Sequence, residues 1–267
     1  MIARRGGCRN ADVGSLSDPV VDLGTADGED GDTLPNDHPV STLILLPGLD
    51  GTGILFSQFV EAIGSNVATR IVTYPADQPL GYAELESLVR EALPRDRPYV
   101  VLGESFSGPI AIRLGADPPA GLVGVILCVT FAKNPYPLLA WAGPWAAGLP
   151  VMALPTWMRA PFIWGTSPTA RDRQESQLAR AAVGETVLRH RVAAVLAVDE
   201  TNSLARVRLP VLVLQGSDDL VVPRAAAEHI VRTLPAAERV EIRGPHMLLQ
   251  IRAAECAAAV MQFMQGL

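Results

Sequence analysis

Cysteine is scarce in this chain: Cys8, Cys128 and Cys256 are spread over 267 residues. Their spacing matches no metal-ligand pattern and their odd count completes no disulfide set. A reducing compartment, the cytoplasm, is therefore expected, and no metal site. Basic charge is also short. Lys and Arg number 22 against 28 Asp and Glu, a net charge of −6. From residue 39 onward the balance is nearly even, 19 basic to 20 acidic, so nothing argues for nucleic acid. Arg4 and Arg5 are not followed by the apolar core of a secretion signal. The stretch 138–158 has the length of a bilayer span, but Pro144, Pro150 and Pro155 interrupt it in mid-domain. No membrane span is expected, and no internal repeat is apparent.

What is abundant is apolar sequence, at 49% of residues. The stretches 42–46, 68–74, 99–102, 123–129, 211–215 and 239–242 read as strands. Between and after them, 54–63, 82–93, 106–114, 224–233 and 253–264 read as helices. This alternation predicts an α/β fold, a doubly wound and mostly parallel sheet of about six main strands covered on both faces. The length suits one such domain at 39–267. Residues 1–38 differ in kind, with eight acids, three arginines and no hydrophobic periodicity. They are expected to form a disordered acidic tail. Asp27 to Asp32 lack the spacing and terminal Glu of an EF-hand loop.

The strand at 99–102 runs into Gly103-Glu104-Ser105-Phe106-Ser107-Gly108 and then into a helical stretch. A serine becomes a nucleophile when a base holds its hydroxyl and a tight strand-to-helix turn presents it. Such a turn crowds the residues two before and two after the serine. Gly usually stands at both; here they are Gly103 and Ser107, both small. The competing reading is a Gly/Ser loop joining a buried strand to a helix.

Two later segments bear on that choice. The strand at 211–215 is followed by Gly216-Ser217-Asp218-Asp219-Leu220-Val221-Val222-Pro223, and the strand at 239–242 by Arg243-Gly244-Pro245-His246. The order is thus Ser, then an Asp after a strand, then His. His38 lies in the polar tail, His190 in a basic helical stretch and His229 within a helix-like run, which leaves His246 as the candidate base, against the competing reading of a lone loop histidine. Chain position alone leaves Asp218 and Asp219 both open as the acid.

From about Thr42 to the C-terminus, these motifs and their order resemble the α/β-hydrolase superfamily. The resemblance implies the α/β-hydrolase fold and a triad of Ser105, Asp219 and His246. The family pattern Gly-x-x-Asp-x-x-Val-Pro aligns with Gly216, Asp219, Val222 and Pro223, and leaves Asp218 facing solvent or capping a turn. It also implies an oxyanion hole. One donor is the amide of Phe106, and the other that of Leu49, which follows Pro47-Gly48 where the family carries His-Gly or Pro-Gly. The glycine-rich run 48–53 otherwise suggests a phosphate loop, but it has neither a Walker ending nor Gly-x-Gly-x-x-Gly.

The strand and helix alternation stops over about 132–201, where family members carry a lid or cap. Residues 134–170 hold Trp141, Trp145, Trp157 and Trp164 and a single charge, Arg159. An apolar cap over a site for hydrophobic acyl or alkyl groups is expected, with these tryptophans as candidate pocket residues. Arg171, Arg173, Arg180, Arg189 and Arg191 follow, interspersed with acids. They read as a solvated helical face, or else as a docking patch for an acidic acyl carrier protein.

The expected function is a serine esterase working through an acyl-enzyme, with a small-molecule ester substrate and no cofactor or metal. The same machinery fits a thioesterase, a carrier-bound methyl ester esterase, a lactonase, an acyltransferase or a perhydrolase. A hydrolase-fold binding protein without catalysis is the alternative from another class.

Overall fold

The computed structural model describes residues 20–22, 42–65, 67–137, 162–165 and 168–267. Among the described residues seven strands form one sheet: β1 (Val20–Asp22), β2 (Thr42–Leu46), β3 (Ala68–Val72), β4 (Tyr99–Glu104), β5 (Leu122–Cys128), β6 (Val211–Gly216) and β7 (Glu238–Ile242). Their spatial order is β1-β3-β2-β4-β5-β6-β7. β2 to β7 pair in parallel, and β1 runs antiparallel along the β3 edge. The described helices are α1 (Ser57–Ile63), α2 (Tyr82–Ala92), α3 (Gly108–Ala116), α4 (Ala170–Ala181), α5 (Glu185–Ala197), α6 (Thr201–Leu204), α7 (Arg224–Thr233), α8 (Leu248–Ile251) and α9 (Ala253–Gln265). This is the α/β-hydrolase fold.

Strand residues alternate between two cores because successive side chains point to opposite faces. Ile44 and Leu46 join Leu85, Val89, Ile110 and Ile230 on one face, whereas Leu43 and Leu45 join Phe59, Val260 and Phe263 on the other. In α2, Tyr82, Leu85 and Val89 recur at helical spacing and form its buried stripe. β2, β4 and β6 are buried along their whole length. At ~1.5–3 kcal/mol per buried large apolar side chain, this frame holds the loops at the strands' carboxyl ends. The loops after β2, β4, β5, β6 and β7 all open on that one edge, where ligands bind in open α/β sheets.

Several boundaries move from the sequence reading. β1 adds an edge strand before Thr42, within the segment read as tail. β3 stops at Val72 because the backbone then leaves the ladder, and the amide of Tyr74 donates to the Gly51 carbonyl at 2.8 Å. The helices expected at 54–63 and 106–114 each open as a 3₁₀ turn, Ile54–Phe56 and Ser105–Ser107. Between β5 and β6 the chain forms α4, α5 and α6, and Lys133 bridges to Asp199. Among the described residues no helix is long and apolar enough to cross a membrane.

Candidate active site

β4 delivers Ser105 into the left-handed region, at φ 47°. For a residue with a Cβ this backbone is uncommon and costs about 1–3 kcal/mol, so the surroundings must hold it. They do so closely. A Cβ on Gly103 would sit 2.7 Å from the Ser107 carbonyl oxygen and 2.8 Å from Cβ of Ala111, so only glycine fits there. The Thr130 hydroxyl donates to the Ser105 carbonyl. Ser107 is fully buried, and its hydroxyl donates to the Pro47 carbonyl. That leaves the Tyr74 hydroxyl to donate to Ser107 Oγ, at 2.6 Å. The departure from Gly at this position thus has a use: it ties the serine turn to the loop after β2.

The Ser105 hydroxyl lies 3.0 Å from Nε2 of His246, and Nδ1 of His246 lies 2.9 Å from Oδ2 of Asp219. The other carboxylate oxygen, Oδ1, accepts the amides of Val221 and Val222, each at 2.8 Å. A carboxylate only accepts, so Nδ1 carries the imidazole proton and Nε2 is left to accept from Ser105. The Asp219 side chain is 3% exposed and that of His246 is 10% exposed. Asp218 is exposed and bonds only locally, to the Ser217 hydroxyl and, through its amide, to Gly244. Of the remaining described histidines, His190 is exposed and His229 contacts Thr201. His38 lies outside the described residues.

Register starts the loops of the two expected oxyanion donors from adjacent strand ends. Leu46, at the end of β2, pairs with Gly103 near the end of β4, so the loops carrying Leu49 and Phe106 leave adjacent strands together. Phe106 itself turns inward, its ring stacked on Tyr82 at 4.8 Å between centroids. Only its backbone is available to a substrate. The helical N-terminus at 105–108 adds a positive dipole end beside Ser105. Such an arrangement can pass a proton from a serine to an imidazole that a carboxylate holds in place.

Three groups at the site escaped the sequence reading. Glu104 is buried directly before the nucleophile, accepting from Gln250 at 3.1 Å and from the Gly48 amide. Burial pushes its carboxyl up to about 7, against the lowering effect of the Gln250 bond. Nothing in the sequence marks Gln250 as its partner. The third is Arg191. Read as part of a solvated face, it is fully buried, and its Nη1 donates to the carbonyls of Leu49 and Asp50. An arginine among arginines carries no signal of burial.

The other arginines of that stretch are spent locally. Arg171 pairs with Glu61 and Glu175, Arg180 and Arg189 pair with Glu185, and Arg173 bonds the Pro168 carbonyl. A carrier-docking patch draws no support from them. Trp164 is buried in a segment whose Ile163 carbonyl accepts the Met247 amide, beside His246. Trp141, Trp145 and Trp157 lie outside the described residues. Among the described residues, no cluster of His, Cys, Asp and Glu is arranged to hold a metal ion.

The model of the Hydrolase_4 family, described as serine aminopeptidase, S33, matches residues 82–246. A protein of Escherichia coli O157:H7 named "Putative carbamate hydrolase RutD" is 27% identical over 236 residues, covering 78% of this chain and 84% of that one. The enol-lactonase of Burkholderia xenovorans LB400 superposes with a TM-score of 0.71 at 17% identity, over 92% of this chain and 95% of the other. A lipase-esterase related protein from Clostridium acetobutylicum ATCC 824 gives 0.70 at 13% identity, over 91% and 98%.

Proposed function

Because the chain belongs to the serine aminopeptidase S33 family of α/β hydrolases, we propose that it is a serine hydrolase cleaving carboxylic esters through an acyl-enzyme. One observation carries the reading: the relay from Ser105 through His246 to Asp219, at 3.0 and 2.9 Å.

Ser105 Oγ attacks the acyl carbon as Nε2 of His246 takes its proton. The carbonyl oxygen becomes an oxyanion held by the amides of Leu49 and Phe106. Asp219 orients the imidazole and stabilises its charged form. Collapse of the tetrahedral species breaks the bond to the alkoxide, which leaves with the proton from His246. Water then repeats the sequence on the acyl-enzyme and releases the acid. No step calls on a metal or cofactor.

A hydrophobic acyl or alkyl group suits the tryptophan-rich, nearly uncharged sequence of 134–170. Burial of Cys128 and Cys256 as free thiols accords with a reducing, cytoplasmic setting. Lactones and carbamates present the same electrophilic carbon. Both chemistries stand in the names of similar proteins, so they join esters and thioesters in the substrate panel.

A fluorophosphonate probe tests the reading directly. Mass spectrometry should find the adduct on Ser105, and acyl release should be fastest from carboxylic esters. An unlabelled, folded protein would point instead to a binding protein on the same fold.

A further inference from the structure

Arg191 reaches from α5, inside the 132–201 insertion, into the loop that carries Leu49. Its Nη1 donates to the Leu49 and Asp50 carbonyls at 3.0 and 2.7 Å, and its Nη2 to the Pro75 carbonyl at 3.0 Å. The guanidinium carbon lies 5.6 Å from the centroid of the Tyr74 ring. Among the described residues no carboxylate forms an ion pair with it. A buried cation bonded only to backbone carbonyls is a costly way to hold a loop, and an apolar side chain would fill the space at lower cost. What the planar guanidinium supplies is direction: Nη1 bonds two successive carbonyls of the loop while Nη2 anchors on the Pro75 carbonyl.

Those planes bear on the oxyanion donor. The Gly51 amide donates to the Gly48 carbonyl at 3.0 Å, closing a turn over 48–51. In a trans peptide the Gly48 carbonyl and the Leu49 amide point in opposite directions. Closing the turn therefore aims the Leu49 amide outward. Nη1 of Arg191 holds the two carbonyls inside that turn. Gly51, at φ 72°, completes the fit, since a Cβ there would lie 2.5 Å from Nη1. Tyr74, beneath the guanidinium, bonds Gly51 through its amide and Ser107 through its hydroxyl. The contacts of Arg191 thus extend to the Leu49 loop and, through Tyr74, to Ser107, the residue after Phe106.

We infer that Arg191 is a positioning residue that couples the seating of the cap helix α5 to assembly of the oxyanion hole. α5 is seated by Val187 and Leu188, which pack with Leu49 and Ala76. Movement of this helix carries the guanidinium with it and releases the Leu49 turn. The inference rests on the hydrolase reading above.

The test compares affinity for a developed oxyanion with affinity for a ground state. A heptyl trifluoromethyl ketone adds to Ser105 as a hemiketal oxyanion, whereas the uncharged heptyl methyl ketone occupies the acyl site without adding appreciably. In Arg191→Lys the charge remains but the planar guanidinium is lost. Trifluoromethyl ketone affinity and kcat should fall by about 10- to 100-fold, the effect of misplacing a catalytic group by ~1 Å. KM and methyl ketone affinity should stay within about threefold. Leu188→Ala, which loosens the seating of α5 and leaves the backbone of the Leu49 turn unstrained, should give the same split. It serves as the second variant if Arg191→Lys does not fold. Parallel loss of trifluoromethyl ketone and methyl ketone binding, or no loss of either in a folded variant, overturns the inference. If wild-type protein takes no fluorophosphonate at Ser105, the hydrolase reading itself has failed. Labelled wild type with no split in the variants defeats the role of Arg191 alone.

Discussion

Asp219 sets its carboxylate 2.9 Å from Nδ1 of His246, while Asp218, its neighbour in sequence, stays in solvent. The difference follows from the turn after β6, where the amides of Val221 and Val222 fold back onto Oδ1 of Asp219. Asp219→Asn should lower kcat by orders of magnitude, because an amide in place of Oδ2 favours the wrong imidazole tautomer. Asp218→Asn should change kcat by no more than about twofold, since surface changes away from the machinery are nearly neutral. Steady-state kinetics on the two variants, side by side, measure the contrast.

Ser105→Ala should fold, because the Thr130 bond goes to the backbone carbonyl of residue 105 and survives the change. Covalent labelling should vanish and kcat should fall by about 10³-fold or more. Ester turnover at near wild-type rate in the purified variant would remove Ser105 from the mechanism.

Glu104 makes stability depend on pH in a direction opposite to that of most carboxylates. Burial raises its folded pKa from 4.5 to about 7, so the folded state holds the proton more tightly than the unfolded chain. Its contribution is full below about pH 4.5, declines through the interval and is lost as pH rises through about 7. The loss is on the order of 3 kcal/mol at most, at ~1.4 kcal/mol per pKa unit. Urea denaturation from pH 4 to 8 should show the unfolding free energy of wild type falling relative to that of Glu104→Gln. Parallel curves for the two proteins would place the Glu104 proton elsewhere.

Ser107→Ala should destabilise the fold by ~1–3 kcal/mol, since it strands the buried Tyr74 hydroxyl and the Pro47 carbonyl. Ser107→Gly should do no better, although it restores the commoner elbow residue. A rise in the denaturation midpoint of either variant would show that the hydroxyl has no structural use here.

Chain-length preference tests the cap. Each buried methylene is worth roughly 0.8 kcal/mol, or about fourfold in kcat/KM. Activity should rise from acetate to medium-chain esters and then fall where the pocket ends. Replacing Trp141, Trp145, Trp157 or Trp164 singly by Ala should move the optimum toward bulkier acyl groups for whichever of them line the pocket. Acetate preference, unmoved in all four folded variants, would make the tryptophans structural only.

Periodicity and order were enough to read the six parallel strands. The run from Thr42 to Leu46, the glycine-serine turn after β4 and the late histidine are local patterns, set by burial on two faces and by the steric demands of a tight turn. They located Ser105 and His246 hundreds of ångströms apart on an extended chain, and only folding brought them to 3.0 Å. Other features left no local trace. The three residues of β1 are legible as a strand only because β3 offers an open edge to pair with. Asp219 parted from Asp218 by the fold of one turn. Arg191, like its neighbours in type and spacing, was decided by tertiary structure alone. A charged side chain goes inside only where backbone carbonyls from distant segments converge on it, and which carbonyls converge is a property of the assembled loops.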